Sequence, residues 1–163
     1  DTILLDAGST IYAVAREIAS SEIADLAVIT YSLPVANALA LRCMTVVTGG
    51  TLDGETMSLV GPNAETSLDS VVVDKLFLSA TGVNVRRGFT VISQLSLGMK
   101  RKMMDRARGG IALIDSTKWD STGLNIFCKI QDVNRIITIR DEKNAESIAQ
   151  LQKNGICVDY IDK

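Results

Sequence analysis

The feature that most constrains this chain is an alternation. Short apolar runs are separated by longer stretches in which apolar residues recur every three or four positions. The runs at Thr2–Asp6, Leu26–Tyr31, Met44–Thr48, Asp74–Ala80, Ile111–Asp115, Arg135–Ile139 and Ile156–Tyr160 read as buried strands. Between them, Thr10–Ser20 sets Ile11, Val14, Ala15 and Ile18 on one helical face. Pro34 suits the first turn of a helix over Pro34–Leu41, and a short helix is expected over Asn63–Leu68. Leu95, Met99, Met103 and Ala107 mark the stripe of a longer helix, and Glu142–Asn154 forms another that ends at Gly155. Two stretches fit neither period. Thr51–Gly61 is polar and punctuated by glycine, so it reads as a loop, and Thr81–Gln94 reads as irregular. Strands alternating with helices imply parallel pairing, right-handed crossovers and a sheet covered on both faces. The expected fold is therefore α/β, a mostly parallel sheet in a three-layer domain that takes up residues 1–163.

Composition then removes function classes. The chain carries a net charge of −2 with no basic excess, whereas a domain that held DNA alone would present a clustered positive face. It has no histidine, which excludes Ser-His-Asp chemistry, the HExxH metal site and histidine general acid–base catalysis. Cys43, Cys128 and Cys157 are widely separated and lack a CxxC pair, so reduced, partly buried thiols are expected rather than a zinc site or a disulfide framework. No metal or cofactor is expected. Neither a signal peptide nor a long apolar run is evident, which makes a cytoplasmic location without membrane contact the expectation. Because Asp1 is followed at once by the apolar Ile3-Leu4-Leu5, we expect a preceding segment in the native protein.

In parallel α/β sheets, ligands bind outside the carboxyl ends of the strands, so the loops there carry the candidate residues. After the first strand comes Asp6-Ala7-Gly8-Ser9-Thr10, running directly into a helix. Gly8 permits a tight turn, Ser9 and Thr10 supply hydroxyls, and the helix start supplies free N–H groups, a combination that cradles phosphate. Simple capping by Ser9 or Thr10 is an equal alternative on chemistry alone. Thr30-Tyr31-Ser32 follows the second strand, with Ser32 reading first as a cap, and Gly49-Gly50 follows the third. Thr81-Gly82 follows the fourth. Asp115-Ser116-Thr117-Lys118 then puts a carboxylate and an ammonium at the same edge. Their shared position favours a pocket for a small, polyhydroxylated anion. The cluster Lys100-Arg101-Lys102 with Arg106 and Arg108 reads mostly as a solvated helix face. Lys100 is singled out because it lies near the helix start, within reach of that pocket.

The series DAGST at 6–10, VITYSLPVANAL at 28–39, TGGTL at 48–52, LVGPNAE at 59–65, SATGVN at 79–84, RGFT at 87–90, MKRKMM at 99–104 and ALIDSTKW at 112–119 closely resembles the C-terminal domain of DeoR-family regulators. The resemblance runs from Thr2 to about Tyr160, with the motifs in the family's order and spacing. It implies kinship with ribose-5-phosphate isomerase and the sugar-isomerase and CoA-transferase superfamily. It further implies a repressor's sensor for a phosphorylated sugar or polyol, no catalytic residues, and operator DNA held only through an N-terminal winged helix-turn-helix absent from this chain. By matching position, the phosphate side would be Asp6, Gly8, Ser9, Thr10, Lys100 and Lys118. The sugar side would be Thr30, Tyr31, Ser32, Gly49, Gly50, Thr81, Gly82 and Asp115, with Asp115 orienting Lys118 or accepting a hydroxyl.

The chain departs from the family at three places, one of them Val91-Ile92-Ser93-Gln94, which replaces the proline and acidic residues common between RGFT and the Lys100 helix. Tyr31 stands where asparagine is usual, and Ser96 where a glutamate usually precedes the Lys100 helix, so the sugar end should differ more than the phosphate end. The leading alternative is an isomerase-like enzyme. It lacks a base, because the segment after the fourth strand reads Ala80-Thr81-Gly82-Val83-Asn84, without a carboxylate. A further alternative is a pure assembly module with a vestigial pocket. The resemblance implies a homo-oligomer, dimer or tetramer, and Ile126, Phe127 and Ile130 are a candidate surface for it, with core packing an equal alternative.

Overall fold

The chain's first strand lies inside the sheet, third from one edge, and the order in which later strands join it creates the site. The computed structural model describes every residue except Arg108, so that member of the basic cluster lies outside the described residues. Strand β1 (Thr2–Leu5) is followed outward by β2 (Ala27–Thr30) and β3 (Met44–Val47). The chain then returns past β1, and β6 (Lys75–Leu78), β9 (Ile111–Ile114), β11 (Arg135–Arg140) and β12 (Val158–Asp162) extend the sheet the other way. All neighbours in this seven-stranded sheet run parallel, in the order β12-β11-β9-β6-β1-β2-β3. The order reverses between β1 and β6, the switch point at which such sheets open a crevice above their strand ends.

The pleat explains the two faces. Ile3 and Leu5 of β1 pack with Ile11 and Ala15 of α1 (Ser9–Ser20) and with Val35 and Leu39 of α2 (Leu33–Leu39). Leu4, between them, points the other way. That side holds Ala64 of α3 (Pro62–Ser67), Met99 and Met103 of α4 (Gln94–Arg106), and Ile148 and Leu151 of α5 (Ala145–Lys153). Each large aliphatic side chain taken fully from water contributes about 1.5–3 kcal/mol, and the core is mostly aliphatic, with Tyr31, Phe89, Trp119 and Phe127 as its buried aromatics. The three-layer α/β architecture is the one expected, and the seven parallel strands fall within a few residues of the seven apolar runs.

Two expectations were wrong. Thr51–Gly61 is not a loop but the hairpin β4 (Thr51–Asp53) and β5 (Ser58–Val60). Asp53 shapes its turn by accepting from the Glu55 amide (3.1 Å) and the Thr56 hydroxyl (2.8 Å). The hairpin docks on the end of β2, where the Leu59 amide bonds the Tyr31 carbonyl (2.7 Å) and the Leu33 amide the Met57 carbonyl (3.0 Å). Nor is Thr81–Gln94 irregular. It holds β7 (Gly82–Asn84) and β8 (Gly88–Val91), which join β10 (Asn125–Cys128) in a three-stranded antiparallel sheet. These strands are too short for a period of two to register, and β10, the second partner of β8, comes from distant sequence.

The charges of α4 are mostly engaged rather than solvated. Lys102 pairs with Asp69, Arg101 donates to the Ile126 carbonyl (3.0 Å) and Arg106 to that of Val71 (3.2 Å). Of the suggested oligomer surface, Phe127 and Ile130 are core residues, and Ile126 alone faces out. All three cysteines are free. Cys128 is buried, and desolvation pushes its thiol up to about 12. Cys43 is half-buried, but Cys157 is exposed, against the expected partial burial.

Candidate functional site

A cleft of about 890 Å³ opens above the carboxyl ends of β1, β2 and β6, within the range usual for small-ligand sites. One wall is the turn into α1, residues Ala7 to Thr10, with Tyr12 behind it. Gly8 stands at the cap with φ of 114° and ψ of 166°, a conformation open only to glycine, and a Cβ there would also crowd Ser79 Oγ at 3.3 Å. No side chain caps α1. The Ser9 and Thr10 hydroxyls are thus not spent on capping, and the first-turn amides keep no side-chain acceptor. That answers the capping alternative for this turn, whereas Ser32 does cap α2, accepting from the Val35 amide (3.4 Å).

Beneath the turn lies a buried polar hub. Asp6, wholly buried, accepts from the Tyr31 hydroxyl (2.6 Å), the Ser79 amide (2.7 Å) and the Lys100 ammonium, which also donates to the Ser79 carbonyl (2.8 Å). Lys100 sits over the Phe127 ring at 5.2 Å and is itself only 6% exposed. Its charge is therefore largely answered from below by Asp6, and one of its three N–H groups is left over. Burial holds the Tyr31 phenol well above the ordinary tyrosine value of 10.0, and the adjacent Asp6 carboxylate adds to the shift. The Tyr31 contribution to stability should therefore be flat below pH 10 and fall above it, as the unfolded phenol ionises and the folded one does not. Tyr31→Phe removes that share of the slope, which urea titrations between pH 8 and about pH 11 would measure.

The other walls are the hairpin, with Asp53, Glu55, Thr56 and Ser58, and the strand ends at Ser79–Thr81 and Val91–Ser93. Ser96 and Lys118 complete the lining, and Lys118 makes no ion pair among the described residues. The cleft thus has a cationic, N–H-rich side at α1 and Lys118 and an acidic, hydroxyl-bearing side at the hairpin. Among the described residues no group of acidic, cysteine or histidine side chains could hold a metal ion.

The candidate residues divide. Gly8, Ser9, Thr10, Tyr31, Ser32, Thr81, Lys100 and Lys118 line the cleft, with Asp6 directly below. Five stand elsewhere or do other work. Thr30 is buried and accepts from the Ser32 amide (3.1 Å). Gly49 donates to Ser67 (3.3 Å), and Gly50, at φ 122°, lets the chain pass 2.7 Å from the Val60 carbonyl, measured from where a Cβ would lie. Gly82 is pressed against the Ser121 backbone. Asp115 caps the 3₁₀ turn Ser116–Lys118, accepting from the Thr117 amide (2.9 Å) and hydroxyl (2.6 Å), bonds that lower its pKa. Sequence reasoning missed the hairpin residues and Ser79. The Asp53-Gly54 pair flanked by short apolar stretches was the available turn signal.

Residues 1–140 match the family described as the DeoR C terminal sensor domain. The uncharacterised HTH-type transcriptional regulator YulB of Bacillus subtilis is 34% identical, over 95% of this chain and 64% of its own length. A putative aga operon transcriptional repressor of Escherichia coli O157:H7 is 31% identical, over 94% and 57%. The HTH-type transcriptional repressor GlcR of B. subtilis is 30% identical, over 96% and 59%. This chain therefore spans somewhat under two thirds of the length of these relatives. Among solved structures, ribose 5-phosphate isomerase a of Methanocaldococcus jannaschii is similar with a TM-score of 0.49 and 19% identity, over 72% of this chain and 46% of that one.

Proposed function

We propose that a phosphorylated sugar or polyol fills the cleft, starting from the fact that the chain belongs to the DeoR C-terminal sensor domain family. A regulatory domain of this kind binds and signals; it is not an enzyme. The observation that carries the ligand reading is the uncapped start of α1 on the cleft wall, where the amides of the first turn meet the Ser9 and Thr10 hydroxyls. A phosphate there accepts from N–H donors at the positive end of the helix, with Lys118 and the spare Lys100 proton also in the cleft lining. The hairpin side suits hydroxyls, which donate to Asp53 and Glu55. A ligand with a phosphate at one end and hydroxyls at the other uses both sides; a plain anion uses one.

In the whole protein we propose an N-terminal winged helix-turn-helix that reads operator DNA in the cytoplasm, acting as a repressor. The relatives' names and their greater length support this. Pairing with a second copy suits a two-fold operator. Ligand gripped by the α1 turn, the hairpin and the Lys118 segment would favour one arrangement of these loops and so shift the population competent for DNA.

The test is thermal unfolding of the chain against matched pairs of sugar phosphates and their unphosphorylated parents. A ligand bound only by the native state adds about 2.7 kcal/mol at a hundredfold excess over Kd. At least one phosphate should raise Tm by several degrees while its parent does not. Equal shifts from both members of every pair, or none from any, would remove the phosphate reading.

A further inference from the structure

We infer that β3 is a dimerisation edge, across which a second copy of this chain pairs its own β3 antiparallel about a two-fold axis at Val46. This gives a surface to the pairing proposed above and stands apart from the ligand reading.

The two edges of the seven-stranded sheet are built differently. β12 carries Asp159 and Asp162, paired with Arg135 and Arg140, and Lys163 follows it. Charges along an edge discourage another strand from adding there. β3, at the other end, has none. Met44 is 67% exposed, Val46 45% and Val47 39%, with Leu41 bare beside them. The one charged residue between Leu41 and Leu52 is Arg42, whose guanidinium folds back to the carbonyls of Ser21 (2.8 Å) and Ile23 (2.6 Å). The edge is thus kept apolar and uncharged, which suits a like edge and offers nothing to a charged partner.

Register supports the same occupant. The Thr48 amide bonds the Thr30 carbonyl of β2 (3.1 Å). By the alternation of a parallel ladder, Met44 and Val46 also direct their backbone groups to β2, and Thr45 and Val47 direct theirs outward. Two such edges laid antiparallel with Val46 on the axis match Thr45 of each copy with Val47 of the other. Every outward amide then meets an outward carbonyl, the pattern of hydrogen-bonded pairs flanking a non-hydrogen-bonded one. The Val46 side chains meet at the axis, and the sheet runs continuously through both copies.

The geometry makes a position-specific test. In the chain carrying Cys43→Ser and Cys157→Ser, Val46→Cys places two thiols opposite one another, at a Cβ separation of about 4.5–5.5 Å. Met44→Cys places them roughly 13 Å apart along the strands. Mild oxidation should convert most of the Val46→Cys protein to a covalent dimer and leave Met44→Cys monomeric on a non-reducing gel. Sedimentation of the unmodified chain should show a dimer. Val46→Lys, which sets like charges face to face, should raise its dissociation constant by roughly a hundredfold with the far-ultraviolet circular dichroism spectrum unchanged. Val47→Pro, which removes an outward amide and leaves the β2 ladder intact, should act in the same direction. A monomer at all concentrations overturns both the pairing and this edge. A dimer in which Met44→Cys crosslinks as readily as Val46→Cys, or which Val46→Lys leaves intact, overturns the edge alone.

Discussion

Replacing Asp6 with asparagine will lower the stability of the folded chain by about 3–5 kcal/mol, a large part of the roughly 5–15 kcal/mol that holds a domain of this kind together. The reason is the company Asp6 keeps. Its carboxylate is wholly buried and is the counter-ion of Lys100, which is nearly as buried. Removing one member of such a pair strands the other charge in a low-dielectric interior, and that cost far exceeds the net contribution of the pair. Lys100→Met should cost less, because the Tyr31 hydroxyl and the Ser79 amide still donate to the carboxylate. The double variant Asp6→Asn/Lys100→Met should be more stable than Asp6→Asn alone, since no buried charge remains. Urea unfolding of the four proteins measures the coupling. Additive losses would mean that the ion pair is not the unit described above.

The second large effect is expected at Trp119, the only tryptophan of the chain. Its ring is buried and its indole N–H donates to the Thr138 hydroxyl (2.9 Å), which donates in turn to the Ile114 carbonyl (2.6 Å). This side chain anchors the segment after β9 that carries Lys118 to the cleft. Trp119→Ala should cost about 3–5 kcal/mol, as expected when a large aromatic is deleted from a packed site. Trp119→Phe keeps most of the volume and loses the hydrogen bond, so a cost near 1 kcal/mol is expected. The milder variant separates two roles. If Trp119 positions Lys118, ligand affinity should fall in Trp119→Phe while the fold persists. Calorimetric titration at a temperature well below the variant's Tm measures this.

The sheet was legible because buried parallel strands write themselves as uninterrupted apolar runs, as in Ile3-Leu4-Leu5 and Ile111-Ala112-Leu113-Ile114. The α1 wall of the cleft was legible too, since Gly8, Ser9 and Thr10 are contiguous and their arrangement is set by one turn. The rest of the cleft was not. β4 and β5 have three residues each, and Leu52 is half exposed, so neither period is visible in them. Their position depends on amides of Leu33 and Leu59 finding carbonyls across the fold. Gly49, Gly50 and Gly82 illustrate the converse error. A glycine at a strand end signals close backbone approach, but it does not say whether a ligand or the chain itself approaches, and at these positions it is the chain. Tyr31, expected to alter the ligand end, is occupied with Asp6. The departure from asparagine therefore changes what lies beneath the α1 turn as much as the cleft wall.

If phosphate rests on the first turn of α1, the amide chemical shifts there will respond to titration with a sugar phosphate. The account predicts that the Ser9, Thr10 and Ile11 amides move most, that the unphosphorylated parent leaves them in place, and that Ser9→Asp abolishes the movement while the core resonances stay unchanged. Shifts concentrated away from the α1 turn, or unaltered binding in Ser9→Asp, would contradict it.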